Sequence, residues 1–406
     1  MYFYVQHVMI PYQLAQAASL RTPRGNLSDL YPRWLGAREL LLHHRDPYSE
    51  NVTREIQAGY YGREIHPGQA NEPTDEQGFA YPVYVVFLLA PTIGLPFPAV
   101  QTAFFWFLVA LAVTTVLLWI GFLDWRISWV ATVAIVVLTL GSFPAIQGLK
   151  LEQLSLLVAG LIAAALFLIG KNHLFAAGIL LACATIKPQL VLPLAAWLFL
   201  WSAAELKSRQ NFLWGFLATL AALITAGEYV LPGWISEFQQ AVGAYRRYTG
   251  GAESIIEVLG GAWWGKLVIA AGLAIFCWQA RHTSAKSTRF HWITALCLAT
   301  TVVIVPKTAP YNQLLLLPGI LFLVIHREGF YASAARRTAA LVTAVCVAWP
   351  WLAALALTVA SIVMPSQTVQ KAWPLPLYTT LAIPLTVTLL LALCYRLPRR
   401  ANSPQD

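Results

Sequence analysis

Asp29 stands in a polar stretch, Ser28 to Tyr48, that reads SDLYPRWLGARELLLHHRDPY. A carboxylate on water-accessible chain can serve as a general base, taking the proton of a hydroxyl as that hydroxyl attacks. Lys187 and Lys307 lie far downstream, each where an apolar run breaks: Ile186-Lys187-Pro188-Gln189 and Lys307-Thr308-Ala309-Pro310-Tyr311-Asn312-Gln313. Arg246 and Arg247 add two adjacent loop cations. Collected beside one carboxylate, such cations would hold an anionic headgroup while the carboxylate moves a proton. Each residue also has a plainer role. Ser28 or Asp29 can cap the helix that follows, lysines at a membrane edge snorkel to headgroups, and paired loop arginines can simply be solvated.

The elements that must position these residues follow from periodicity. After Tyr31-Pro32-Arg33, the residues Trp34, Leu35, Ala37, Leu40, Leu41 and Leu42 recur at mixed three- and four-residue spacings, the pattern of a helix. Asp46-Pro47 stops it, because proline disfavours helix in the residue before it. Residues 1–20 are weakly apolar, interrupted by Gln6, His7, Pro11 and Gln13, and read neither as a signal peptide nor as a comfortable span. Residues 22–78 are polar and turn-rich. Residues 81–95, punctuated by Pro91 and followed by Pro96 and Pro98, read as a short interfacial or re-entrant piece. Eleven apolar runs follow: 98–122, 127–143, 153–170, 175–185, 190–201, 211–230, 266–277, 292–305, 314–325, 338–360 and 377–397. The two runs flanking Lys187-Pro188 are short, as in a hairpin of half-length helices. A wet loop with aromatic residues is expected from 232 to 257.

Composition sets the class. Hydrophobic residues make up 58% of the 406, charged residues only 11%, and mean hydropathy is +0.61; soluble domains carry about 25% charged residues. The expectation is an all-α polytopic membrane protein with about eleven transmembrane helices. Residues 1–80 would form an extracytoplasmic or interfacial helical segment, 81–397 the transmembrane domain and 398–406 a cytoplasmic tail. The net charge of +9 does not point to nucleic acid, since residues 1–80 are net −2 and the positive excess sits in short loops between apolar runs. With residues 1–80 outside, thirteen Lys and Arg fall in inside loops, from Arg126 to Arg400. Six fall opposite: Lys150, Lys187, Arg246, Arg247, Lys307 and Lys371. The positive-inside rule favours that orientation, which puts the minority cations on the face that carries Asp29. The five cysteines show no metal-ligand spacing, and there is no Gly-rich phosphate loop, His-Glu-x-x-His or Asp-x-Asp. Neither a metal nor a cofactor is expected.

The pattern resembles the type C glycosyltransferases, and within them family 87, polyprenyl-phosphate-sugar-dependent enzymes typified by bacterial mannosyltransferases. Four places carry the resemblance: Asp29-Leu-Tyr31 leading to Ala37-Arg38-Glu39 and Asp46-Pro47-Tyr48; Phe79-Ala-Tyr81-Pro82; Glu152-Gln153-Leu-Ser155 with Ile186-Lys187-Pro188; and the break at 306–318. Many relatives have Gly-Gln-x-Asn where this chain has Glu152-Gln153-Leu-Ser155, and a histidine where Tyr311-Asn312-Gln313 stands. A clean first helix before the polar segment is also missing. The resemblance implies Asp29 as catalytic base and inversion at the anomeric carbon. It implies Lys187, Lys307, Arg246 and Arg247 at the donor phosphate, with Tyr31, Arg33, Glu152, Gln153, Gln189, Tyr311 and Asn312 on the substrate. The expected partners are a polyprenyl-phosphate sugar, a lipid or glycan acceptor, and membrane lipids. The expected place is a bacterial plasma membrane, with the site on its outer face. A transporter or lipid flippase would also keep polar breaks in helices, but no internal repeat is visible. A scaffold would leave the cations without a common pocket.

Overall fold

The computed structural model describes residues 1–19, 28–66, 69, 72–73, 76–248, 253–259, 263–305, 309–365, 368–369 and 372–395. Lys307, and with it part of the break expected at 306–318, falls outside these residues, as does the tail beyond 395. Among the described residues every regular element is a helix and there is no strand. Each apolar run read from the sequence is helical over most of its described residues. By length and composition, five of the helices can cross a membrane: Phe97–Phe122, Leu206–Val230, Trp263–Ala280, Ala334–Val363 and Leu375–Leu393. A sixth is counted if the bent pair Trp129–Leu140 and Phe143–Lys150 is one span. The five remaining apolar segments are only 10–17 residues long.

Length sorts these helices by position. The long ones are a minority buried, between 17% and 39% of their apolar windows, and turn large side chains such as Trp106, Leu217, Leu267 and Leu355 outward. A broad exposed apolar surface of this kind is what lipid covers. The short ones form the interior. Thr288–Ile304 is buried continuously from Phe290 to Val303, and Leu154–Gly170 is buried over most of its length. A helix that is apolar all round belongs in a core.

Backbone breaks gather at one end of this bundle. The run expected as a single span over 127–143 bends by 58° at Gly141-Ser142. Ser142 caps the second piece by accepting the Ala145 N–H at 3.4 Å, and Pro144 fits its first turn. The segments flanking Lys187 do meet there, as Leu174–Cys183 with a 3-10 turn to Ile186, and Pro188–Ala204. They are not chiefly partners of one another. Leu174–Cys183 packs hardest on Leu206–Val230, while Pro188–Ala204 packs on Thr288–Ile304. The stretch expected as a wet loop contains a helix, Trp234–Tyr248, fastened where Trp234 meets the Tyr84 ring edge-on at 5.7 Å.

The polar N-terminal region docks on the same end. Tyr31–His43 forms the expected helix and closes on His44 in the left-handed region. Its N-cap is Leu30, and no side chain caps it. Ser28 Oγ instead accepts the Leu30 N–H at 3.3 Å just ahead of the helix, and the Asp29 carboxylate meets Gln153. Trp34, Ala37 and Leu40 bury themselves with Phe79, Val85 and Leu89. Tyr84 ties this layer to the bundle, donating its hydroxyl to the Thr185 carbonyl at 2.9 Å. Residues 2–19 are also helical, through a π-turn at Val5–Met9, and bury Tyr4, Val5, Val8 and Met9 against Phe143, Ile146, Ala354 and Leu357.

The tightest helix pair depends on two glycines. A Cβ on Gly178 would lie 2.3 Å from the Phe212 carbonyl oxygen, and one on Gly215 would lie 2.1 Å from that of Phe175. Small residues permit such backbone approach in membranes. Gly178→Ala must part the helices and should cost about 1–3 kcal/mol, the range for overpacking. A lower midpoint of thermal unfolding in detergent is expected, and an unchanged midpoint would show that the pair is not held this closely.

Candidate active site

A cavity of about 610 Å³ opens where the breaks meet, within the range of small-molecule sites. Asp29, Arg33, Tyr81, Gln153, Lys187, Gln189, Arg246, Tyr311 and Asn312 all line it. Phe238, Val242, Tyr245 and Arg246 reach it from one face of helix Trp234–Tyr248, at the i, i+4, i+7 spacing that shares a face.

The chemistry is organised by three residues between helices Phe143–Lys150 and Leu154–Gly170. Leu151 accepts the Asp29 backbone N–H at 3.0 Å. Gln153 donates its side-chain N–H to the Asp29 carboxylate, and its side-chain oxygen accepts from Lys187 Nζ at 2.8 Å. One amide thus joins carboxylate to ammonium. Its orientation is forced, because an ammonium only donates and a carboxylate only accepts. Lys187 Nζ also donates to Ser155 Oγ at 2.7 Å, and Ser155 in turn donates to Asn312 Oδ1 at 2.9 Å.

Lys187 is only 7% exposed and forms no ion pair among the described residues. Its charge is met by neutral oxygens and by two aromatic faces, with Nζ 5.5 Å from the Tyr81 ring centre and 5.3 Å from that of Tyr311. Arg33 stacks 4.5 Å from the centre of the Tyr81 ring and donates to the Asp29 backbone carbonyl at 2.6 Å. A buried cation without a counter-charge is costly, and two cations over one ring set a positive field at the cavity wall.

Three residues expected at the site fall elsewhere. Tyr31 turns into the packing layer, its ring 6.0 Å from Trp34 and edge-on to Phe97 at 4.9 Å. Glu152 does not line the cavity. Its backbone is left-handed, with φ of 50°, which separates the directions of neighbouring side chains and sends it toward Ser28 and Gln101 while Gln153 enters the cavity. Arg247 is exposed one position beyond Arg246, off the cavity face of its helix. Sequence reasoning missed Tyr60, Gln77 and Tyr245 on the cavity wall. Tyr81 and Ser155 stand inside the Phe79-Ala-Tyr81-Pro82 and Glu152-Gln153-Leu-Ser155 motifs, and only their partners in the fold show their roles. Among the described residues no three His, Cys, Asp or Glu side chains form a metal-ligand set.

Comparison with known families adds the class. The model of glycosyltransferase family 87 matches residues 79–306, more than half of the chain. The matched span contains Tyr81, Gln153, Lys187 and Arg246 and begins after Asp29. Neither curated proteins nor solved structures give a match. A helical bundle with several membrane-length spans, a polar cavity at one end and this match together assign the chain to glycosyltransferase family 87, as an integral membrane glycosyltransferase.

Proposed function

We propose that the enzyme transfers a hexose, mannose in the first instance, from a polyprenyl-phosphate sugar to a lipid or glycan acceptor, with inversion at the anomeric carbon. The observation that carries this reading is Lys187: a buried ammonium without an ion-pair partner among the described residues, one amide away from the Asp29 carboxylate, in a single cavity. In the proposed step the acceptor hydroxyl attacks the anomeric carbon and gives its proton to Asp29. The bond from that carbon to the phosphate oxygen breaks, and the lipid phosphate leaves with one more negative charge. Fixed cations lower the cost of that charge. Lys187 and Arg33 are in place for it, with Arg246 at the exposed rim. Lys307 remains a candidate on sequence grounds alone.

Gln153 gives this arrangement its sense. A lysine paired directly with Asp29 would weaken it as a base. With the amide between them, the ammonium faces the leaving group and the carboxylate faces the nucleophile. Tyrosine faces around the cavity offer flat apolar surface to a sugar ring.

The site is proposed to open on the outer side of a bacterial plasma membrane. Helix Pro188–Ala204 begins beside Lys187 and ends where Arg209 donates to the Trp201 carbonyl at 2.7 Å and the Arg281 carbonyl at 3.0 Å. The end remote from the cavity is thus the one rich in cations, as a cytoplasmic end should be.

Asp29→Asn keeps the shape and an acceptor for Gln153 but removes the base. Transfer from labelled polyprenyl-phosphate mannose should fall by about 10² or more, with the protein still inserted; near-normal transfer would remove Asp29 from the mechanism. Lys187→Ala should raise the apparent KM for the donor and lower kcat, a combined loss on the order of 10²–10³ in kcat/KM. Unchanged kinetics would separate Lys187 from the phosphate. For orientation, a cysteine placed at Lys286 in a chain freed of reactive cysteines should resist impermeant maleimide in intact cells and react after permeabilisation. Labelling of intact cells would reverse the topology.

A further inference from the structure

Glu152 is a buried carboxylic acid that the proposed transfer does not use. It is 4% exposed, Oε2 has no hydrogen-bond partner, and its backbone adopts a φ of 50° that side-chain-bearing residues rarely take. A residue that combines backbone strain with a buried ionisable group costs stability, and such features concentrate at working sites. Its neighbours show what it holds. The Ser28 and Gln101 side chains lie against its carboxyl, the Leu151 carbonyl takes the Asp29 N–H, and the Gln153 amide reaches the Asp29 carboxylate. Three consecutive residues therefore grip the Ser28-Asp29 pair by three separate contacts.

We propose that Glu152 is a positioning residue that fixes Asp29 through Ser28 and makes transfer respond to its own protonation. This rests on Asp29 being the base. Asp29 is the titratable group whose charge acts on Glu152; Ser28 and Gln101 are neutral, and Lys150, two residues back, donates to Gln13 at 3.5 Å. Burial, with a smaller push from Asp29 and against the pull of the Ser28 and Gln101 hydrogen bonds, raises the Glu152 carboxyl to about 7. When it ionises it becomes a stronger acceptor for Ser28 and sets a second negative charge behind Asp29. Both effects tighten the base and strengthen its hold on a proton. Activity should therefore rise as pH passes through neutrality. Stability should move the other way. The folded state prefers the neutral acid, so stability falls as pH rises from the ordinary carboxylate range to about 7, and the full cost is present above that.

Glu152→Gln, Glu152→Gly and Asp29→Asn separate the possibilities. Glycine relieves the left-handed backbone, so loss of function in that variant reports the missing contacts and not a misfolded turn. With labelled polyprenyl-phosphate mannose and membranes supplying the acceptor, Glu152→Gly should lower kcat about tenfold or more with little change in donor KM. Glu152→Gln should restore most of that loss at pH 6, and should lack the roughly threefold or greater rise between pH 6 and 8 expected of the parent. Without substrate, the unfolding midpoint of the parent should fall relative to Glu152→Gln between pH 5 and 7. Superimposable pH profiles, parallel unfolding midpoints, or full kcat in Glu152→Gly would each overturn the proposal. An active Asp29→Asn would instead remove the base on which it rests.

Discussion

A single side-chain amide, that of Gln153, donates to the Asp29 carboxylate and accepts from the Lys187 ammonium, and the architecture around it is arranged so that this is possible. The two charged groups come from chain positions more than 150 residues apart. A direct ion pair between them would be the cheaper way to bury both, yet the amide keeps them one group apart. Each charge stays partly uncompensated, and the cavity wall retains a field that a neutral pair would cancel.

That arrangement needs irregular backbone between apolar helices. The left-handed Glu152, the 3-10 turn before Lys187 and the 3-10 stretch Pro310–Leu316 all adjoin or contain residues that line the cavity. Broken helices are tolerated in a membrane only where protein or a wet cavity meets the freed backbone groups. The short interior helices supply those ends, and the long peripheral ones keep lipid away from them. The N-terminal layer, held by Tyr84 on Thr185 and by Trp34 against the 79–97 region, brings Asp29 over the opening.

Membership of glycosyltransferase family 87 fixes the class of reaction. The proposed mechanism is an electrostatic one: neutral dipoles and ring faces present Lys187, and the Tyr81 ring presents Arg33, at the wall of the cavity that holds Asp29. The same low-dielectric surroundings that make such cations costly make them effective toward a phosphate whose charge grows as a bond breaks.

The sequence by itself determined the helical membrane class, the position of every apolar run, the helix after Asp29 and the polar breaks at Glu152-Gln153, Lys187-Pro188 and Tyr311-Asn312. Those are local properties, written in hydropathy, periodicity and proline. Only the tertiary structure decided which polar residues meet. Glu152 and Gln153 are adjacent, and no pattern in the chain says that one enters the cavity and the other turns to Ser28; a left-handed backbone at 152 does. Arg246 and Arg247 are likewise indistinguishable as letters, until a helix in place of the expected loop puts one on the cavity face. The family resemblance puts Tyr31 on the substrate, yet the helix starting there rotates it into the Trp34 and Phe97 layer. Side-chain direction depends on backbone dihedrals and on what packs alongside, and both are set by residues far away in the chain.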